Sequence, residues 1–201
     1  MKTIAILLMT MLSLNLFAQN DYVLELDGNT YEISLDNAYS LTIDGKIVNF
    51  KVIPKDTLIY KDEFFSFKYP KDYKITKMEI DEGIEQVMVM TPDGSGFLIQ
   101  KYSTMNPTIL NNMMMREVTK ESIEDGYSVT RKDYARTIKS GQVLEIDKSI
   151  LTNRSESNIY EVATIGDNDE GILILTIVSV ENMSKSGKSL IDMMWSTLAY
   201  K

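Results

Sequence analysis

The chain has 201 residues, with 21 Lys and Arg against 29 Asp and Glu, a net charge of −8, and neither cysteine nor histidine. The missing cysteine excludes disulfides, thiol nucleophiles, zinc–thiolate and iron–sulfur sites, and a lipid-anchored cysteine; the missing histidine excludes Ser–His–Asp and Cys–His catalysis. What survives is carboxylate pairs, Ser–Lys dyads, tyrosine and oxygen-ligated hard cations such as calcium, while the acidic balance argues against nucleic acid and anionic lipid as partners.

At the N-terminus, Lys2 precedes a mainly apolar run from Ile4 to Phe17, broken only by Thr10, Ser13 and Asn15, and Ala18 follows as a small residue. Charge, apolar run and small residue in that order read as a secretory signal peptide over residues 1–18, cut near Ala18. The run falls short of the roughly 20 residues that span a bilayer. The expected product begins near Gln19, is periplasmic or secreted, and has no transmembrane segment after cleavage.

Residues 19–57 read as a β-hairpin region. Leu24 to Leu35 (LELDGNTYEISL) and Leu41 to Val52 (LTIDGKIVNFKV) each place Asp-Gly amid alternating apolar residues. Asp-Gly suits a type I′ turn, whose two central positions both need positive φ, so turns are expected at Asp27-Gly28 and Asp44-Gly45. Two copies make two hairpins rather than a solenoid. The only boundary signal lies near Pro54 to Leu58, and residues 58–201 read as one α+β domain.

There, Phe65, Phe67 and Tyr69 alternate with Ser66 and Lys68, and Pro70 closes the strand. Lys74 to Ile80, Ile84 to Met90 and Gly96 to Tyr102 are further strands. Asn106 as cap and Pro107 at the first helical position predict a helix with a Leu110, Met114, Val118 stripe, Met113 beside it, and Gly126 as its left-handed end. The Met113 to Met115 run reads as core packing rather than a soft-metal site. Tyr127 to Ile138, Gln142 to Leu151, Asn158 to Ile165 and Ile172 to Val180 form an antiparallel meander. A closing helix from about Ser186 to Ala199 carries Leu190, Ile191, Met194, Trp195 and Leu198 on one face. Phe65, Phe67 and Trp195 are expected in the core.

Several motifs touch on chemistry. Asn182 to Ser189 resembles a phosphate-binding GxxxxGK[ST] loop with the first glycine replaced, and too little chain follows to supply a magnesium-binding acid; a serine-rich helix start is favoured. Ser184 and Ser186 beside Lys185 and Lys188 lack any sign of an oxyanion hole, and the Asp81–Glu82 and Glu117–Glu121 pairs read as surface charge. No catalytic residue and no cofactor is assigned. The turn from Asp167 to Gly171 offers Asp167, Asp169 and Glu170 as weak calcium candidates, although the spacing is not that of an EF-hand and a solvated hairpin turn fits as well.

The stretch Tyr60 to Tyr73 (YKDEFFSFKYPKDY) resembles the opening of PsbP/Mog1/DcrB-like domains, in which an aromatic strand runs into Tyr-Pro. The C-terminus, an apolar strand, a polar break and a helix ending near Trp195 to Leu198, is similar to theirs too. The resemblance spans roughly Tyr60 to Lys201. It implies an α+β fold, a mainly antiparallel sheet flanked by helices as an α/β/α sandwich, preceded here by the hairpin region. Its members mostly act as binding or assembly factors, and no catalytic residue carries over. The expected function is therefore an exported, non-enzymatic binding or assembly module of the bacterial envelope, acting on an unknown protein partner through the hairpins. A small-ligand or calcium-binding periplasmic protein is the alternative, and a carboxylate-based hydrolase follows it. A deep pocket with convergent polar groups would favour the alternatives; a broad exposed apolar patch would favour the first.

Overall fold

Two Asp-Gly turns organise the start of the chain. In the computed structural model, which describes residues 22–154, 156–179 and 185–201, β1 (Tyr22–Leu26) pairs antiparallel with β2 (Asn29–Ile33), and β3 (Ala38–Ile43) with β4 (Lys46–Lys51). The expected signal peptide lies outside the described residues. Asp27 and Gly28 have φ of 47° and 77°, Asp44 and Gly45 of 49° and 75°. All four are positive, as a type I′ turn requires. Each hairpin is its own two-stranded sheet. Tyr39 stacks on Phe50 across β3–β4 at 5.6 Å.

The chain divides into two units between Lys55 and Asp56. In the second unit β5 (Thr57–Lys61), a strand the sequence pattern did not reveal, pairs with β6 (Phe65–Pro70), and β15 (Ala199–Tyr200) pairs with the other side of β6. The larger sheet contains β7 (Thr76–Asp81), β8 (Ile84–Met90), β9 (Gly96–Tyr102), β10 (Ser128–Arg131), β11 (Tyr134–Thr137), β12 (Val143–Asn153), β13 (Glu156–Asp167) and β14 (Glu170–Ser179). Its order is β10-β12-β13-β14-β9-β8-β7, with β11 also on β12, and every pairing is antiparallel. The single strand expected over Tyr127 to Ile138 is therefore two. Between them the Lys148 amide donates to the Asp133 carboxylate (2.8 Å) while the Lys132 amide donates to the Lys148 carbonyl (3.0 Å). A side chain thus takes the place of a backbone acceptor and breaks the ladder.

Strand alternation gives the sheet two apolar faces. One carries Phe97, Ile99, Leu144, Ile146, Ala163, Ile172 and Ile174. It is covered by α2 (Lys185–Thr197) and by the aromatic residues of β5 and β6. Phe65 and Phe67 are buried, and Trp195 is 1% exposed. The opposite face carries Tyr102, Val162, Leu173 and Leu175 beneath α1 (Asn111–Glu124). A helix on each side of a mainly antiparallel sheet is the α+β sandwich that the sequence led us to expect.

The start of α1 differs from expectation. Asn106 does cap, accepting from the Thr108 amide at 3.0 Å, but Pro107–Leu110 is a 3-10 turn and the α-helix begins at Asn111. At the other end the Gly126 amide donates to the Ile123 carbonyl and the Tyr127 amide to the Ser122 carbonyl, a Schellman closure. Met115 is the buried methionine at 2% exposure, and Met113 is 59% exposed. Two residues are about 200° apart around a helix, so Met113 points away from the face that Met115, Met114 and Val118 share.

Candidate functional site

The register of three strands sets a polar row across the α2-covered face. Lys148 on β12 lies opposite Glu161 on β13, and Glu161 lies opposite Thr176 on β14. Each interrupts an apolar column: Leu144 and Ile146 precede Lys148, and Ile172 and Ile174 precede Thr176. Glu161 is only 8% exposed. It accepts hydrogen bonds from Lys148 Nζ (2.8 Å), Tyr134 Oη (3.0 Å) and Thr176 Oγ1 (3.4 Å). A buried carboxylate with a cation and two hydroxyls is satisfied.

Arg136 stands two residues from Tyr134 on β11, on the same side of the strand. Its guanidinium carbon lies 5.2 Å from the Trp195 ring and 5.7 Å from the Tyr134 ring, and Nη2 donates to Tyr134 Oη at 3.4 Å. Burial first, then the charge of Glu161, holds the Tyr134 phenol above its ordinary value. Arg136 Nε and Trp195 Nε1 are both buried and have no hydrogen-bond partner. Buried N–H donors left unpaired are uncommon and ask for an explanation.

These groups line a cleft of about 670 Å³ between the sheet and α2. Ile159, Val178 and Ile191 supply apolar walls, and Lys185, Lys188 and Asp192 of α2 form the rim. The volume lies within the range of small-molecule sites, roughly 300–1,000 Å³. A larger hollow of about 790 Å³ follows the outer face of α1, beside Ile109, Met113 and Ile123, but the buried polar residue in its lining, Thr119, already donates to the Met115 carbonyl at 2.7 Å. Elsewhere Lys101 is closed off by Glu63 (3.0 Å) and Glu85 (3.2 Å), so its charge is already matched. Only the cleft brings together space, charge and unused donors among the described residues.

The calcium candidates lie elsewhere, at the tip of the β13–β14 hairpin. Asp167 pairs with Glu170, Asn168 takes a φ of 48°, and the Asp167 carboxylate accepts from the Asn168 amide at 2.9 Å. Asp167, Asp169 and Glu170 are all exposed, and among the described residues no group of three or more acidic side chains is placed to hold a metal. Gly187, Lys188 and Ser189 sit inside α2 rather than in a loop, while Asn182 and Ser184 lie outside the described residues. Asp81, Glu82, Glu117 and Glu121 are exposed, as read.

Sequence reading missed Tyr134, Arg136, Lys148, Glu161 and Thr176 as a set, because only strand register unites them. A signal was present. Once each strand is split into alternating faces, Lys148, Glu161 and Thr176 are polar residues in core-facing columns, a break in binary pattern that marks functional positions.

No family model matches the sequence, and no curated protein matches it. Among solved structures, the chain is similar to a crystal structure from Bacteroides thetaiotaomicron VPI-5482, at 17% identity and a TM-score of 0.38, over 73% of this chain and 48% of that one, about half its length. The chain is similar as well to the solution structure of cyanobacterial PsbP (CyanoP) from Synechocystis sp. PCC 6803, at 15% identity and a TM-score of 0.48, over 73% of this chain and 93% of that one.

Proposed function

We propose that the protein is an exported binding module that acts without catalysis, and that the cleft beneath α2 is its ligand site. The observation that carries this reading is the pair of buried, unpartnered donors, Arg136 Nε and Trp195 Nε1, beside a cleft of about 670 Å³. A ligand acceptor would satisfy groups that the protein itself leaves unpaired. Binding without turnover is supported by the chain's lack of histidine and cysteine, and by Tyr134, whose raised pKa makes it a poor base near neutral pH. Export is supported by the Lys2, apolar run and Ala18 order.

The test is native mass spectrometry of protein purified from its own host. A bound mass that leaves on denaturation, with a shift in Trp195 emission after stripping, is the expected result. Ligand-free protein whose Trp195 emission is unchanged by host extracts would overturn the cleft reading. The same spectrum reports export: the expected N-terminus is near Gln19, and an intact Met1 on the localised protein would remove it.

A second reading, capture of a protein partner, is favoured by the hairpin unit. Val23, Ile47, Val48 and Ile53 are exposed there, and two-stranded sheets leave edges that a further strand can join. Removing residues 22–55 should abolish capture of such a partner while the larger unit keeps its melting transition. Undiminished capture by the shortened protein would exclude the hairpins.

A further inference from the structure

We infer that the cleft takes an organic anion, an oxyanion head joined to an apolar body; the inference rests on the cleft being the ligand site. Four cations, Arg136, Lys148, Lys185 and Lys188, line it against two carboxylates, Glu161 and Asp192, in a chain whose net charge is −8. The local excess is therefore opposite in sign to the protein. Glu161 cannot offset all of it, because Lys148 already occupies it at 2.8 Å.

Arg136 is the informative cation. It forms no ion pair among the described residues, its guanidinium stacks beside Trp195 and Tyr134, and its Nε is buried and idle. A guanidinium without an ion pair keeps a fork of N–H groups that matches the oxygens of a carboxylate or phosphate; Nη2 already donates to Tyr134, and Nε, closed off in this structure, joins them after a small side-chain shift. The rim points the same way. The first turn of α2 carries Lys185 and Lys188 and no acidic residue. The N-terminal end of a helix is the positive end of its dipole, so lysines there are unfavourable unless an anion is near. Ile159, Val178 and Ile191 then account for the body. An inorganic ion would leave these walls wet, and a neutral apolar molecule would leave Arg136 desolvated and unmatched.

The chain's single tryptophan, Trp195, is in the cleft and reports occupancy directly. The purified protein is titrated with decanoate, decyl phosphate, decanol and inorganic phosphate, following Trp195 emission and the indole N–H resonance. At least one of the two amphipathic anions should bind at least tenfold more tightly than decanol and inorganic phosphate, and whichever is tighter identifies the head group. Raising the salt should weaken that binding. Arg136→Gln should weaken it about tenfold, with Arg136→Lys intermediate because it keeps the charge and loses the fork. Lys188→Gln, on the exposed rim, should weaken it two- to threefold without touching the core. If decanol binds as tightly as the anions, the anion inference falls while the cleft remains a ligand site. If inorganic phosphate matches decyl phosphate, the apolar body is wrong and the inference falls. Absence of any response to all four overturns it as well, and the native mass spectrum then decides separately whether the cleft binds anything. Unchanged affinity in both folded Arg136 and Lys188 variants would also overturn it.

Discussion

In residues 22–55 each strand meets its partner across a two-residue turn; in residues 56–201 Ile99 pairs with Ile174 and Phe65 with Tyr200, so partners arrive from distant parts of the chain. Local closure costs little entropy, and long closure must be offset by burial. The larger unit supplies that burial through Phe65, Phe67, Phe97, Trp195 and the aliphatic columns of its sheet. The hairpins do not: Ile33 is the one buried apolar residue among those described there. Stability in the first unit should therefore sit in the backbone of its turns, and in the second in packing. Changes aimed at turns or at packing should separate the two.

The largest effect should come from Trp195→Ala. Trp195 packs in the main core with Leu190, Met194 and Leu198. Removing a large buried aromatic costs about 3–5 kcal/mol. Chemical denaturation followed by circular dichroism should show that loss; a change under about 1 kcal/mol would mean that α2 does not hold the sheet face as described.

Gly171→Ala should follow, at about 2–3 kcal/mol, by overpacking. A Cβ at Gly171 would sit 2.4 Å from the Ile165 carbonyl oxygen and 2.7 Å from Pro107 Cδ, where the 3-10 turn before α1 closes on the β13–β14 hairpin. This glycine is needed for lack of space. A near-neutral change in the denaturation midpoint would show that the paired backbone at Ile165 and Gly166 gives way along with Pro107.

Lys148→Met should cost about 2 kcal/mol. Breaking a buried pair costs about 3–5 kcal/mol, but Lys148 keeps 25% of its side chain exposed, and Tyr134 and Thr176 continue to bond Glu161. Adding Glu161→Gln should recover part of the loss, since the uncompensated charge is then gone. No recovery in the double variant would mean that Lys148 acts by packing alone.

These sites also show what was legible. The hairpin turns, β8, β9, the meander and α2 were readable because their signals are local: Asp-Gly, period-two alternation, an apolar helical face. The pairing of β5 with β6 was not: the two form a local hairpin, but its turn is made by the Asp62 carboxylate accepting from the Phe64 and Phe65 amides and has no Asp-Gly or other glycine to mark it. The break at Asp133 needed Lys148, fifteen positions away, to be seen. The cleft was illegible for the same reason. Its polar row is a property of register across β12, β13 and β14, which the Asn153–Glu156 and Asp167–Glu170 closures of the two hairpins fix; turns read only as the broad stretches Asn153 to Glu156 and Asp167 to Gly171 do not align Lys148, Glu161 and Thr176.

Alkaline pH tests the larger unit with a gentler force. Burial raises the phenol pKa values of Tyr60, Tyr102 and Tyr134, with Asp62 adding to the shift at Tyr60 and the Glu161 charge adding to it at Tyr134. A group whose folded pKa exceeds its unfolded value gives its full contribution below the unfolded value, about 10 for tyrosine, and loses it as pH rises through the folded value. Thermal stability of the larger unit should therefore decline above about pH 10. The resonances of the hairpin unit's Tyr39 should behave differently, because the Ser34 amide that donates to its phenol oxygen favours the ionised form and lowers its pKa. A flat stability profile to pH 12 would contradict the burial of the three raised phenols.

The smallest effect should come from Gly45→Ala, and it carries the comparison furthest. Nothing lies within 4 Å of a Cβ placed at Gly45, so space is not the issue; its φ of +75° is. An L-residue forced into the left-handed region costs roughly 1 kcal/mol. In a two-stranded hairpin, which is marginal by itself, that cost should appear as faster amide exchange across β3 and β4. The denaturation midpoint of the larger unit should stay in place. Gly171→Ala should do the reverse, shifting the larger unit and leaving β3–β4 exchange unchanged. The same substitution then reads backbone conformation in one unit and packing space in the other. If Gly45→Ala moves the larger unit's midpoint as far as Gly171→Ala does, stability is not partitioned between turns in one unit and core in the other.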